Sequence, residues 1–430
     1  MKNVLVVIGN YVSSPSSTAN CIKPLISRLA DFYNVDVLTD RKSLDFPPHQ
    51  LIGGINVYSV DDYRVMNTTY LNNLCEIDTG KVLKIITKLF SILIKGFYYL
   101  RFVMFSKEKI SGGWEVNRIF HQYIILSKEK DYDLVISVSL PFQSHYVAKK
   151  IKEARVDNLK WIAYEFDPYY YNTSIKASKS RRSRMKLDEL EVFDKCDALI
   201  FTPELHDYYL KNGFIKESEK LHSLPYATLN IVQHNNTTKL LNNFMNPREI
   251  NCLFAGQLYD DIRNPRGLLA VFSRVSPSIN LIMMTNYSVE KLQMYSVDGF
   301  LPTIVPFQTH ETTLFNLREA DVLINIGNTV EFQAPAKIFE YISTGKPIIH
   351  FSKIKDDPVL KYLKNYPSKL IVNEWEADKI DYTQLVNEFC INSLNQKVRE
   401  SDIINLLSEF TPVNVIDKFL NITRELLCVK

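Results

Sequence analysis

Short apolar runs, apolar at consecutive positions rather than alternate ones, recur along this chain in a rhythm with segments of helix length. In the first half the runs are VLVVIG (4–9), VDVLT (35–39), INVYSV (55–60), DLVISVS (133–139), LKWIAYE (159–165) and DALIFT (197–202). Stretches such as TANCIKPLISRLADF and PFQSHYVAKKIKEA separate most of them. A strand that is apolar on both sides needs cover on both faces, and a parallel sheet with crossover helices supplies it.

The rhythm stops at 228–248, TLNIVQHNNTTKLLNNFMNPR, an asparagine-rich stretch without periodicity that reads as a linker. It restarts with INCLFAG (250–256), INLIMMT (279–285), TIVPFQ (303–308), DVLINIG (321–327), KPIIHF (346–351) and KLIVNEW (369–375). At 430 residues the chain is too long for one ordinary core. The expected architecture is therefore α/β, two Rossmann-like doubly wound parallel-sheet domains facing each other across a cleft. The boundaries are 1–228, a linker at 229–249, and 250–412. The last helix-like stretch, 413–430, either closes the second domain or crosses back to the first. Ligands of such sheets bind beyond the carboxyl ends of the strands, so the cleft is the expected site.

Composition narrows the function. A net charge of +3 on this length gives no case for nucleic acid. The six cysteines form no C-x-x-C pair, which favours reduced thiols in a cytoplasm over disulfides or zinc. MKNVLVVIGNYVSSPSS has an apolar core shorter than that of a secretion signal and reads as a first strand.

The chemistry concentrates in EFQAPAKIFEYISTGKPIIHF (331–351). After strand DVLINIG, Pro335 is placed to start a helix without losing a hydrogen bond. The free N–H groups of that start form an anion site. Lys337 in the first turn opposes the helix dipole, a conflict that a bound phosphate offsets. Glu340, one turn on, can accept hydrogen bonds from a diol. The same residues also read as a solvated lysine and an ordinary helix glutamate. A second stretch, AGQLYDDIRNPRGLLAVF (255–272), pairs a glycine turn at Gly256 with Arg263 and Arg266 entering a helix. An arginine there can bridge two phosphate oxygens. Diphosphate plus diol describes a nucleotide sugar.

Q-A-P-A-K-I-F-E-Y-I-S-T-G-K-P-I-I resembles the donor-binding signature of GT-B glycosyltransferases of retaining family 4, in particular the bacterial surface-polysaccharide branch. GQLYDDIRNPRGLL resembles that branch's first loop of the second domain. The resemblance spans the two-domain layout, with its sharp motifs in the second half. It implies that Glu340 binds the ribose hydroxyls and that Lys337 and an arginine neutralise the donor diphosphate. Arg263 is the first choice for that arginine and Arg266 the second. Gln333 and Pro335 belong to the signature, and Phe307 falls where the family contacts the base. Two positions depart from the pattern. The first glutamate of the E-x7-E motif falls at Phe332, with Glu331 one out of register, and Gln257 stands where many relatives have arginine.

In the first half, Gly9 permits close backbone approach and Ser17 or Thr18 can cap the next helix. The resemblance makes Gly9 and Asn10 donor contacts; a plain βα turn is the alternative. With 13 glycines and no G-x-G-x-x-G, a dinucleotide site has little support. Asp167 in F-D-P-Y-Y-Y-N (166–172) would face the cleft from a strand end, where the resemblance implies contact with the transferred sugar or acceptor. Asp-Pro is otherwise simply a turn.

Residues 81–105, KVLKIITKLFSILIKGFYYLRFVMF, contain no uncharged run near the ~18 residues of a spanning helix. On a helix, Lys81, Lys84, Lys88 and Lys95 share one narrow face, which suits a helix lying on an anionic membrane surface. The alternative is a buried helix with one wet edge. The basic run KASKSRRSRMK (176–186) would attract anionic lipid or a lipid diphosphate, or is a solvated loop.

No metal or cofactor is expected: the one D-x-D, Asp131-Tyr132-Asp133, opens a strand at its wrong end, and the eight histidines lack ligand spacing. The reading is a cytoplasmic glycosyltransferase on the inner face of a membrane, moving a sugar from a nucleoside diphosphate donor to a glycan acceptor, lipid-linked, with retention. The rivals are a sugar-nucleotide epimerase of the same fold and a non-catalytic subunit of a glycan-assembly complex.

Overall fold

The computed structural model describes residues 1–12, 17–62, 85–86, 88–90, 92–94, 96–97, 113–155, 159–226, 244–377 and 379–428. Two compact units emerge. The first takes in Met1–Pro203, Ile215–Ala227 and Ile416–Lys430, and the second Glu204–Phe214 and Thr228–Val415. Most of the stretch read as a linker, through residue 243, lies outside the described residues.

Among the described residues the first unit holds eight strands: β1 (Asn3–Ile8), β2 (Asn34–Arg41), β3 (His49–Ile52), β4 (Ile55–Asp61), β5 (Leu134–Ser139), β6 (Lys160–Glu165), β7 (Ala198–Phe201) and β8 (Leu221–Ser223). Their spatial order is β3-β4-β2-β1-β5-β6-β7-β8, parallel except for the β3–β4 hairpin. Its helices are α1 (Ser17–Leu29), α2 (Trp114–Leu126), α3 (Gln143–Ala154) and α4 (Lys179–Lys195), while α5 (Pro203–Lys211) groups with the second unit from Glu204 onward. Strand β5 is buried at all six positions, as the lack of alternation in its sequence predicts. Its Ser137 costs little there because the hydroxyl accepts from Trp161 Nε1 at 2.8 Å and meets His145 Nδ1 at 2.7 Å.

The second unit carries β9 (Ile250–Ala255), β10 (Ile279–Met284), β11 (Thr303–Val305), β12 (Val322–Ile326), β13 (Ile348–Ser352) and β14 (Lys369–Asn373). Among the described residues these six form one parallel sheet in the order β11-β10-β9-β12-β13-β14. Helices α6 (Arg266–Phe272), α7 (Val289–Gln293), α8 (His310–Glu319), α9 (Lys337–Thr344), α10 (Val359–Leu363), α11 (Tyr382–Asn392) and α12 (Glu400–Leu406) accompany it. Cys252, Phe254, Leu269, Phe272, Met283, Ile324 and Phe351 meet in one core beside the sheet. Each fully buried side chain of this size stabilises the fold by about 1.5–3 kcal/mol. The final helix, α13 (Pro412–Cys428), groups with the first unit from Ile416 onward, and its Phe419 ring lies 6.4 Å from that of Tyr164.

Both expected doubly wound sheets are present. In each, strand order turns back on itself at one place: between β1 and β5 in the first sheet, and between β9 and β12 in the second. Two crossovers leave in opposite directions there, opening a crevice at the carboxyl ends where ligands of such sheets bind.

The described residues between 85 and 97 are helical, and Ile85, Leu89, Ile92, Leu93 and Phe97 are exposed together with Lys88. Burial of this stretch against the unit is therefore not what the structure shows for them. Lys81, Lys84 and Lys95 lie outside the described residues. No helix among the described residues is long and apolar enough to cross a membrane.

Candidate functional site: the loops after β9 and β12

The loop leaving β9 at Gly256 is folded back by a short antiparallel bridge between Tyr259 and Arg263. That bridge turns the Arg263 side chain toward the loop leaving β12. Its guanidinium holds Asn328 Oδ1 through Nε at 2.9 Å and Nη2 at 2.7 Å, and Nη1 reaches the Gln257 carbonyl at 3.4 Å. Asn328 is fully buried and donates through Nδ2 to the Gln333 carbonyl at 2.9 Å. Backbone and side chain of Thr329 donate to Ile262 and Asp261 carbonyls at 2.9 and 3.0 Å. The two loops at the switch point are thus zipped together, with a half-buried arginine at the join. Burial lowers the Arg263 pKa, yet a guanidinium keeps its charge in such surroundings.

A polar network missed at the sequence level lies underneath. Asp357 Oδ2 meets His350 Nε2 and accepts from Ser352 Oγ, each at 3.0 Å. His350 Nδ1 meets Asn325 Nδ2 at 2.8 Å, and Asp357 Oδ1 accepts from Val359 N at 2.9 Å. All four side chains are buried. With Asp357 as an acceptor, Nε2 carries the proton and Nδ1 accepts. Gly327 sits against this network, where a Cβ would lie 2.1 Å from Asp357 Oδ2. Only a bare backbone fits at that corner.

Helix α9 begins at Lys337, two residues later than Pro335 suggested. The Pro335 carbonyl accepts from Ile338 N at 3.0 Å, so proline forms the lead-in to the first turn. Lys337 Nζ pairs with Glu340 Oε2 at 2.7 Å, and both side chains remain partly exposed. Tyr341 ties α9 to the end of β9: its hydroxyl accepts from Ala255 N at 2.9 Å and reaches the Ala255 carbonyl at 3.2 Å.

Other predicted residues stand apart from this join. Arg266 is exposed at the start of α6, its guanidinium 5.8 Å from the Tyr295 ring centre. Nearby, Asp260 accepts from Lys291 Nζ at 2.7 Å, Tyr287 at 2.5 Å and Tyr295 at 2.6 Å. These bonds, that of Lys291 foremost, hold its carboxyl well below the usual range. Phe307, just beyond β11, is exposed. Phe332 is buried with its ring 5.2 Å from that of Tyr208, so an aromatic contact occupies the position where the motif has its first glutamate. Glu331 instead pairs with Lys211 at 2.8 Å.

In the first unit, Gly9 follows β1 directly, with Pro141 so close that a Cβ would lie 2.4 Å from Pro141 Cδ. Asn10 has φ 54° and donates its backbone N–H to Asp40 Oδ1 at 2.5 Å. Asp167, past the end of β6, is pushed up to about 6 by burial. Glu165 is raised too, by burial first and then by neighbouring Glu189. Glu189 accepts from Tyr169 N and Tyr170 N at 2.8 and 2.9 Å. Arg182 donates to the carbonyls of Tyr170, Asn172 and Ile175 at 2.7, 2.9 and 2.5 Å. The basic run is therefore not a solvated loop. Ser178 caps α4, and Arg182 clamps the segment that follows Asp167, while Lys176, Lys179, Arg184 and Lys186 stay exposed. Among the described residues no group of three His, Cys, Asp or Glu side chains is placed to hold a metal. The carboxylates of Asp131 and Asp133 bond Arg155 and the Asn3 backbone, at 3.1 and 2.8 Å.

No family model matches the sequence, and no curated protein matches it. Solved structures do resemble the fold. The sucrose-phosphate synthase of Thermosynechococcus elongatus aligns over 100% of both chains with a TM-score of 0.68 and 12% identity. Anabaena HepE, solved with UDP and glucose, aligns over 99% of this chain and 100% of its own, with a TM-score of 0.60 and 9% identity. A glycosyltransferase from Rickettsia africae ESF-5 covers 100% of this chain and 99% of its own, at 0.59 and 12%. Likeness at these identities speaks to architecture: the chain has the GT-B fold, two parallel-sheet α/β domains, that glycosyltransferases use.

Proposed function

We propose that this protein is a glycosyltransferase that moves a sugar from a nucleoside diphosphate donor to a glycan acceptor. The observation that carries the reading is the join at the β9/β12 switch point. A buried asparagine there fixes the Arg263 guanidinium, and Lys337 opens a helix from the adjoining loop. The solved relatives support it, since HepE was solved with UDP and glucose.

In this reading Arg263 and Lys337 face the diphosphate, with the first turn of α9 supplying N–H groups. Glu340 takes the ribose diol, and donor binding replaces its pairing with Lys337. Gly256, Gln333 and Pro335 shape the phosphate loop, Phe307 meets the base, and Arg266 is the reserve cation. Gly9, Asn10 and Asp167 belong to the sugar and acceptor side. The reaction is retaining: the bond from the anomeric carbon to phosphate breaks and the acceptor oxygen bonds on the same face. The acceptor proton passes to the departing phosphate oxygen. Catalysis rests on stabilising the charge that leaves with the nucleotide, and no metal or cofactor is assigned to it. The acceptor is lipid-linked and the setting is bacterial surface-polysaccharide assembly. The protein sits on the cytoplasmic face of the membrane, held by the exposed apolar helix near 85–97 and by the basic residues of 176–186.

A second reading has its own observation: the buried Phe332–Tyr208 contact replaces a sugar-binding carboxylate, as in a binding subunit without turnover. Incubation with UDP-, GDP-, ADP- and TDP-sugars, with and without extracted lipid-linked glycan, separates the two. Acceptor-dependent release of nucleotide supports the transferase, and nucleotide binding with no release from any pair would leave the subunit.

A further inference from the structure

Helix α5 lies on the connection from β7 to β8, neighbouring parallel strands of the first sheet, yet Glu204–Phe214 groups with the second unit. Its limits are set locally. Pro203 takes the first helical position, where a missing N–H costs nothing. Gly213, at φ 62°, closes the other end: its N–H donates to the Leu210 carbonyl at 3.0 Å, and that of Phe214 to the Tyr209 carbonyl at 2.9 Å. The Phe214 ring stacks on Tyr209 with centres 4.7 Å apart, the apolar contact that such a helix end favours.

Glu204, Asp207, Tyr208 and Lys211 have the spacing of one helix face, and all four meet the chain that follows β12 and β13. After β12, the Tyr208 ring lies 5.2 Å from that of Phe332, and Lys211 Nζ pairs with Glu331 at 2.8 Å. After β13, the same Nζ pairs with Asp356 at 2.9 Å, beside Asp357 of the buried His350 network. Buried Glu204 accepts from the Tyr362 hydroxyl and pairs with Lys361 at 3.1 Å, while Asp207 lies 3.7 Å from Lys361. The Lys211 pairs are exposed, so salt screens them. Phe332 is buried, and the aromatic contact therefore carries most of the hold on the first loop. The lead-in to α9 is thus anchored twice, at Gln333 by Asn328 and at Phe332 by Tyr208.

We propose that Tyr208 is a positioning residue of the second unit: through Phe332 it fixes the lead-in to α9, and so sets how tightly Lys337 and the first turn of that helix take a diphosphate. The diphosphate rests on the glycosyltransferase reading; the hold on the loop does not.

The test joins amide hydrogen exchange on the full chain with calorimetric titration of the diphosphates of uridine, guanosine, adenosine and thymidine. The proteins are the wild type, Tyr208→Ala, Phe332→Ala, the double variant and Tyr208→Phe. Tyr208→Ala should speed exchange across 329–336 about tenfold, the scale of one lost aromatic contact, with β9 and β12 protected as in the wild type. It should weaken the tightest nucleotide about tenfold as well. The double variant should lose no more than the worse single one, because both changes remove the same contact. Tyr208→Phe keeps the ring and should restore wild-type exchange and affinity. Should Tyr208→Ala melt too early to compare, Tyr208→Leu is judged by the same outcomes. Unchanged exchange in the loop overturns the proposal, as do unchanged nucleotide affinity and additive losses in the double variant. If exchange responds as described but no nucleotide binds the wild type, the hold on the loop stands and the glycosyltransferase reading fails.

Discussion

Arg263 and Asn328, sixty-five positions apart in the chain, meet through two guanidinium donors on one carboxamide oxygen at 2.9 and 2.7 Å. Bonds from a charged donor are worth about 1.5–3 kcal/mol each, and here they point the arginine rather than neutralise it. Asn328→Ala should leave the charge in place but release its direction. The expected loss in kcat/KM is on the order of 10²-fold, the scale for a misplaced catalytic group. Steady-state transfer kinetics check this, and a wild-type value would remove Asn328 from the positioning role.

Gly327 tests the network below that contact. A methyl group there would lie 2.1 Å from Asp357 Oδ2, whose carboxylate is already committed to His350, Ser352 and Val359. Gly327→Ala should therefore destabilise the protein by roughly 1–3 kcal/mol, as overpacking does. A lower urea midpoint with the slope unchanged is the expected result.

Asp167 and Glu165 give the stability a pH dependence. Both folded pKa values lie above the unfolded ones because burial disfavours the ionised form. Their contribution is fully present below the unfolded carboxylate range near pH 4 and is lost as pH rises through each folded value, about 6 for Asp167. Asp167→Asn and Glu165→Gln should gain stability relative to the wild type between pH 4 and pH 8. Denaturant titrations at several pH values measure the difference, and a gap that does not widen with pH contradicts the assignment.

The exposed apolar residues near 85–97 predict vesicle binding. Leu89→Ser, Ile92→Ser and Phe97→Ser each remove a side chain worth about 1.5–3 kcal/mol when buried, which is roughly tenfold or more in partitioning. Co-sedimentation with phosphatidylglycerol vesicles should fall accordingly for each. Equal sedimentation of wild type and triple variant would remove the membrane role from this stretch.

Much of the fold was legible in the sequence because buried parallel strands announce themselves as unbroken apolar runs. The strands that escaped were β3, exposed along much of HQLI, and β8, three residues of LHS. Neither buries enough to leave an apolar signature. In the loops after β9 and β12, the positions of Arg263, Lys337 and Glu340 near a strand end or helix start could be read from the sequence. Asn328 could not, since its role exists only because β9 and β12 are neighbours in space, and no local pattern encodes that pairing. His350 was hidden for the opposite reason. Its imidazole lies within an apolar run, and the partner that satisfies it, Asp357, lies beyond the end of β13.

On the proposed reading, the second unit grips a nucleoside diphosphate through Arg263 and Lys337. Thermal melts of the wild type, Arg263→Ala and Lys337→Ala against the diphosphates of uridine, guanosine, adenosine and thymidine measure that grip. A nucleotide at a hundred times its Kd adds about 2.7 kcal/mol to the native state, a shift on the order of 5–10 °C for a domain of this size. One nucleotide should produce that shift in the wild type and little or none in either variant. No shift with any of the four, or equal shifts in all three proteins, would mean that Arg263 and Lys337 do not hold a nucleoside diphosphate.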